Sequence, residues 1–111
     1  MGNRAVLVTN DTTKENADKK IGIYLHWCGG EDTVKEFLSI AKEKGIRNPN
    51  YDSQYGWARL CQIIADAFTE SDLQSPYETA RNNAYSNSIG IGIVNQLDCH
   101  NYDNGVYYID E

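Results

Sequence analysis

The chain reads as an α+β domain: a small, mainly antiparallel sheet with two helices packed on one face, in the order β-β-α-α-β-β. Three observations predict it. Apolar residues alternate in short runs at both ends of the chain, apolar residues recur at helical spacing in the middle, and Gly, Pro, Asn and Asp separate these segments. The 111 residues fit a single domain over 1–111 with a modest core.

"RAVLVT", Arg4 to Thr9, is a first strand with an apolar body. "NDTTKENADKK", Asn10 to Lys20, is polar and reads as an exposed connection. From Ile21 to Trp27 the residues alternate: Ile21, Ile23, Leu25 and Trp27 point one way, and Gly22, Tyr24 and His26 the other. Antiparallel pairing of these two strands is the simplest topology. A first helix over Asp32 to Lys44 carries Val34, Phe37, Leu38 and Ala41 on one face, with Asp32 as its cap and Gly45 as its stop. A second, from about Tyr55 to Thr69, buries Trp57, Leu60, Cys61, Ile64, Ala65 and Phe68, with Asp52 or Ser53 as cap. The stretch before "SIGIGIV" is thinly apolar and reads mostly as loop, although Pro76 could start a short helix. Ser88 to Val94 then forms a strand with Ile89, Ile91 and Ile93 on one face and Gly90 and Gly92 on the other. "DNG" at 103–105 marks a turn, and Val106 to Asp110 is the closing strand.

Hydrophobic residues make up 41% of the chain and charged residues 23%, the profile of a folded domain. Ten Lys and Arg against sixteen Asp and Glu give a net charge of −6, which argues against general nucleic-acid binding. The same acidic surface suits occupation of another protein's basic groove. No apolar run has the length of a membrane span, and "MGNRAVLVTN" lacks a basic-then-apolar leader. Three cysteines leave one over if two pair, which disfavours a disulfide framework and points to a reducing cytoplasm.

The chemistry concentrates in "YLHWCGGEDTVKEFL", where a strand ends in His, Trp and Cys, turns on two glycines and opens a helix. Cys28 precedes a helix start, which favours a thiolate, but Glu31 and Asp32 oppose it, and a turn cysteine without chemistry is the better reading. Cys61 belongs to the core stripe. His26, Cys28, Cys99 and His100 are zinc-ligand types, but H-x-C and adjacent C-H pairs match no standard module, so no metal or cofactor is expected. Amides at Gly29–Gly30 could hold an anion at the helix start. No Walker Lys follows, and a tight turn capped by acidic residues explains the same pattern. Arg4, Arg47, Arg59 and Arg81 are available anion partners, and Tyr24 and His26 share a face with Gly22. Rings, small gaps and guanidinium groups describe a site for a flat charged ligand, and they describe equally well a sheet face covered by tyrosines for stability. Aspartates in "LDCHNYDNG" are explained by turn duties, so general acid–base chemistry has least support.

Four stretches, "GNRAV" (Gly2 to Val6), "YLHWCGG" (Tyr24 to Gly30), "YGWARLCQ" (Tyr55 to Gln62) and "DNGVY" (Asp103 to Tyr107), resemble a family of small phage and prophage proteins without established activity. Its pattern carries Asn where this chain has Cys28, which casts doubt on a nucleophilic or metal role there. Residues 70–88 look like an insertion relative to the family's shorter link. The resemblance implies a viral accessory protein acting in a bacterial cytoplasm, where such proteins often antagonise host defence by binding.

The sequence therefore predicts a non-enzymatic, anti-defence binding protein holding a phosphorylated small molecule, such as a nucleotide immune signal. Its expected pocket uses Arg4, Tyr24, His26, Trp27, Gly29, Gly30 and Arg59, and small chains often complete such pockets as homo-oligomers. The alternative partner is a host defence protein inhibited by contact, in the manner of an anti-CRISPR. A third reading is a small nucleotide-cleaving hydrolase dependent on His26 or Cys28.

Overall fold

The computed structural model describes residues 3–73, 76–77 and 89–109. Its elements follow the predicted order: β1 (Ala5–Thr9), β2 (Ile21–Leu25), α1 (Glu31–Lys44), α2 (Ser53–Leu73), β3 (Ile89–Ile93) and β4 (Val106–Ile109). The four strands form one mixed sheet in the spatial order β3-β2-β1-β4. β1 pairs antiparallel with β2, and β2 antiparallel with β3. β4 instead lies parallel to β1, with Val6 opposite Val106 and Thr9 opposite Ile109. All five residues of β1 are buried. A strand covered on both faces has no reason to alternate, which accounts for its continuous apolar run.

One face of the sheet carries the helices. Leu7, Ile23 and Leu25 pack against Val34, Phe37 and Ala41 of α1, Trp57, Leu60 and Ile64 of α2, and Ile109 of β4. Leu38 and Cys61 pack against this core while only partly buried. α1 starts one residue earlier than predicted, and its cap is Gly30 in an extended conformation, with no side-chain capping bond. Asp32, the predicted cap, lies in the first turn with Glu31, where both carboxylates face the positive end of the helix dipole. Gly45 ends the helix at φ 69°, the left-handed region that favours glycine. Asp52 caps α2: its side chain accepts from the Tyr55 N–H (3.4 Å) and its carbonyl from the Gly56 N–H (2.8 Å). α2 continues about a turn past the predicted end at Thr69, so part of the expected loop is helix. The Phe68 side chain and the rest of the predicted 70–88 insertion, apart from Pro76 and Tyr77, lie outside the described residues. No described helix is long and apolar enough to cross a membrane.

The opposite face is covered by irregular chain. Val6, Val8 and Val94 form its floor, with Ala17, Tyr24, Leu97, Cys99 and Val106 packed around them. The 10–20 connection is mostly exposed, as expected, and is tied to this face by backbone bonds: Val94 N–H donates to the Lys20 carbonyl (2.8 Å) and Asn95 N–H to the Ala17 carbonyl (3.0 Å). Its polar residues satisfy one another, Lys20 reaching Asp11 (2.6 Å) and the Thr9 hydroxyl donating to Asp11 (2.7 Å). Two helices cover only one side of a sheet, so the second side draws on whatever apolar groups the connections offer.

Among the described residues, the helices leave the β3 side of their own face open. Ile91 is 54% and Ile93 38% exposed, although both point to the helix face.

Truncating Ile23, fully buried in the centre of the sheet, to Ala should lower stability by about 3–4 kcal/mol. Urea denaturation of the variant beside the parent chain measures this.

Candidate functional site

Where β1 begins, the chain is held from two sides. Asn3 donates its N–H to the His26 carbonyl (2.8 Å), and its own carbonyl accepts the Gly29 N–H (2.8 Å). These two bonds carry the pairing of β1 with β2 past the strand end and into the glycine turn. The approach is so close that a Cβ on Gly29 would sit 2.5 Å from the Asn3 oxygen and 2.7 Å from the Ala5 Cβ. Glycine is required here by the protein's own backbone. The Gly29 carbonyl is also engaged, accepting from the Tyr107 hydroxyl (3.0 Å). The expected open cradle at Gly29–Gly30 is therefore closed at its first amide, and Gly30 serves as the helix cap. Cys28 adopts φ 61°, a left-handed conformation that asparagine tolerates better than cysteine.

On the other side lies the loop over 98–105, organised by Asn101, which is 8% exposed. Its Oδ1 accepts the N–H groups of Asp103 (3.2 Å), Asn104 (3.1 Å) and Gly105 (2.9 Å), and its Nδ2 donates to the carbonyls of Asp98 and Gly105. So folded, the loop presents Asp98 and Asp103 to Arg4. The Arg4 N–H and Nε both donate to Asp103 Oδ2 at 2.9 Å, and Nη1 donates to Asp98 at 3.1 Å. The hydrogen bond it donates to Asp103 holds the Arg4 guanidinium pKa up, and the two bonds accepted from Arg4 hold the Asp103 carboxyl below its ordinary value. Asn104 completes the junction through Asn3 Oδ1 (2.6 Å) and the Arg4 carbonyl. Three of the four stretches singled out in the sequence thus meet at one place.

Tyr24 and His26 stand beside this junction on the second face of the sheet. The Tyr24 hydroxyl lies 2.8 Å from His26 Nδ1, and the His26 ring packs edge-on to Trp27 with centroids 5.4 Å apart. Trp27 is 46% exposed; Tyr102, on the facing loop, is 96% exposed. Six of the seven predicted residues, Arg4, Tyr24, His26, Trp27, Gly29 and Gly30, are gathered here. Arg59 is not among their contacts. Its guanidinium stacks on the Tyr55 ring (5.5 Å), which also carries Arg47 at 4.9 Å, and Arg47 pairs with Asp52 (2.7 Å). Arg47 follows the C-terminal end of α1, roughly 20 Å of helix rise from Gly30. Arg81 lies outside the described residues.

The junction offers a hydrogen-bonded Tyr–His pair, a guanidinium held by two carboxylates, and two exposed aromatic side chains. Among the described residues no group of three His, Cys, Asp or Glu is placed to hold a metal ion. Cys61 and Cys99 have thiol pKa values pushed up by burial, which favours the unreactive form. Asn3, Asn101 and Tyr102 were missed in the sequence, although the density of Asn and Asp in "NYDNG" is the signature of side chains that bond their own backbone. A separate cleft of about 580 Å³ opens on the second face, floored by Val8, Val94 and Val106 and rimmed by Lys14, His100 and Tyr108.

Gly29→Ala should destabilise the fold by about 2–3 kcal/mol, because the clash is with backbone. Cys28→Asn should instead stabilise it by up to about 1 kcal/mol by easing the left-handed conformation. Chemical denaturation of both variants tests the pair of signs. The lowered Asp103 pKa gives stability that is present above the ordinary carboxylate value of 3.8 and lost as pH falls through the folded value. Asp103→Asn should flatten that acid limb, read from denaturation midpoints between about pH 5 and pH 2.

Comparison of the chain with protein-family models, with curated proteins and with solved structures finds no match.

Proposed function

We infer that the protein acts by binding, as a phage-type accessory factor that blocks a host defence protein through direct contact. One observation carries this reading: the charges at the junction are paired with each other, while Trp27 and Tyr102 stand exposed on the two loops that meet there. A guanidinium already held by two carboxylates has little charge left for a free phosphate. Exposed Trp and Tyr on a rigid, hydrogen-bonded base are the side chains that anchor protein interfaces, since they bury large area at low conformational cost. Asp98, whose side chain is 46% exposed, supplies an acidic rim, in keeping with the net charge of −6 and a basic groove on the partner. The resemblance to small phage proteins supports the setting in a bacterial host.

A second reading, sequestration of a phosphorylated small molecule such as a nucleotide immune signal, is favoured by the cleft on the second face. Its volume is of the size that small ligands occupy, its floor is apolar, and Lys14 and His100 lie at its rim.

Two measurements separate the readings. Purified defence nucleases should co-purify with the chain in a salt-sensitive manner, and Trp27→Ala or Tyr102→Ala should weaken that association at least about tenfold. Calorimetry against cyclic nucleotides and ADP-ribose derivatives should give no heat on the contact reading and saturable heat on the second. Unchanged nuclease binding by both aromatic variants would discard the contact surface.

A further inference from the structure

Among the described residues β3 is one of the two edge strands of the sheet, with no strand beyond it, and its sequence is Ile-Gly-Ile-Gly-Ile. The hydrogen bonding of this strand can be assigned residue by residue. Val94 N–H bonds to the Lys20 carbonyl, so the next pair, Ile93 with Ile21, is one whose backbone groups do not bond each other. Alternation then makes Gly92–Gly22 and Gly90–Tyr24 the bonded pairs. The N–H and C=O groups of Ile91 and Ile93 consequently point away from β2, into the open edge. Their side chains are the exposed isoleucines on the helix face, continued by Ile21 at 37% exposure.

Proteins ordinarily blunt such an edge with lysine, proline or a bulge. β3 has none of these.

We propose that β3 is a dimerisation edge that pairs antiparallel with β3 of a second copy of this chain. The two-fold axis passes at Gly92, which sets Ile91 of each copy opposite Ile93 of its partner. The outward groups of those residues then form two bonded pairs, giving four N–H···O=C bonds. Every isoleucine stays on the helix face, where the four side chains cover one another. On the other face each Gly92 lies against Leu97 of its own chain, so the glycines leave room for the two strands to meet. An isologous interface must be complementary to itself, and the Ile-Gly-Ile segment 91–93, with its outward backbone groups on either side of the axis, satisfies that condition. The two four-stranded sheets become one of eight strands. This interface involves none of the residues of the junction at Arg4 and is independent of the binding reading above.

Sedimentation velocity of the full chain over a concentration series tests it. The parent chain should be a dimer at high-micromolar concentration, and the Ile91 and Ile93 amides should exchange more slowly with deuterium as dimer forms. Ile93→Lys should be monomeric with a native circular dichroism spectrum. Ile91→Pro removes one outward N–H and leaves the Gly90 and Gly92 bonds to β2 intact, so it too should be monomeric. Ile91→Thr keeps the backbone edge and should remain dimeric with association weakened by less than about tenfold. A parent chain that stays monomeric throughout, or an Ile93→Lys variant as dimeric as the parent, overturns the proposal. Should Ile91→Pro fail to fold, Ile93→Lys and the exchange of the parent's amides decide it.

Discussion

The structure depends on the short extended segment at Asn3–Arg4. It is gripped by the turn after β2 through backbone bonds at His26 and Gly29, and by the 98–105 loop through Asp98, Asp103 and Asn104. These contacts set where β1 starts, and the Val6 N–H bond to Gly105 starts β4 beside it. Most of the polar groups involved are only partly buried, so each bond is worth little alone, about 1 kcal/mol. Their number and their shared partners make the junction rigid.

That rigidity changes the meaning of the glycine turn. A strand, two glycines and a helix start form the arrangement that elsewhere leaves amides free for an anion. Here Asn3 arrives first. Its carbonyl fills the place an anion would take at Gly29, and acidic side chains at Glu31 and Asp32 complement the helix dipole. What the junction presents outward is ring surface with carboxylates around it, which suits a large partner better than a small phosphate.

The element order was legible because period-two and helical patterns survive wherever one face of an element is buried, as in Ile21–Leu25 and Val34–Ala41. The partner of β4 was not. Its pairing with β1 joins residues about a hundred positions apart, and no local pattern records such a choice. The same limit hid the packing of Ala17 against the second face, since a single alanine in a polar stretch carries no periodic signal. At the site, the glycines at 29–30 suggested backbone amides open to an approaching anion. Whether ligand or chain makes that approach depends on Asn3, whose position follows only from the completed sheet. Arg59 illustrates the opposite error: residue type suggested an anion partner, but its spacing of four from Tyr55 already gave it a neighbour on the helix.

The parallel pairing of β1 with β4 also bears on the order in which the molecule assembles. Among the described strands β1 comes first in the sequence and is the most enclosed, yet its neighbour on one side comes last. Until that neighbour arrives, β1 exposes a row of unmet backbone groups flanked by valine and leucine, a condition that invites mispairing during synthesis. Closing so long a loop carries an entropic cost that disfavours early formation of this pairing.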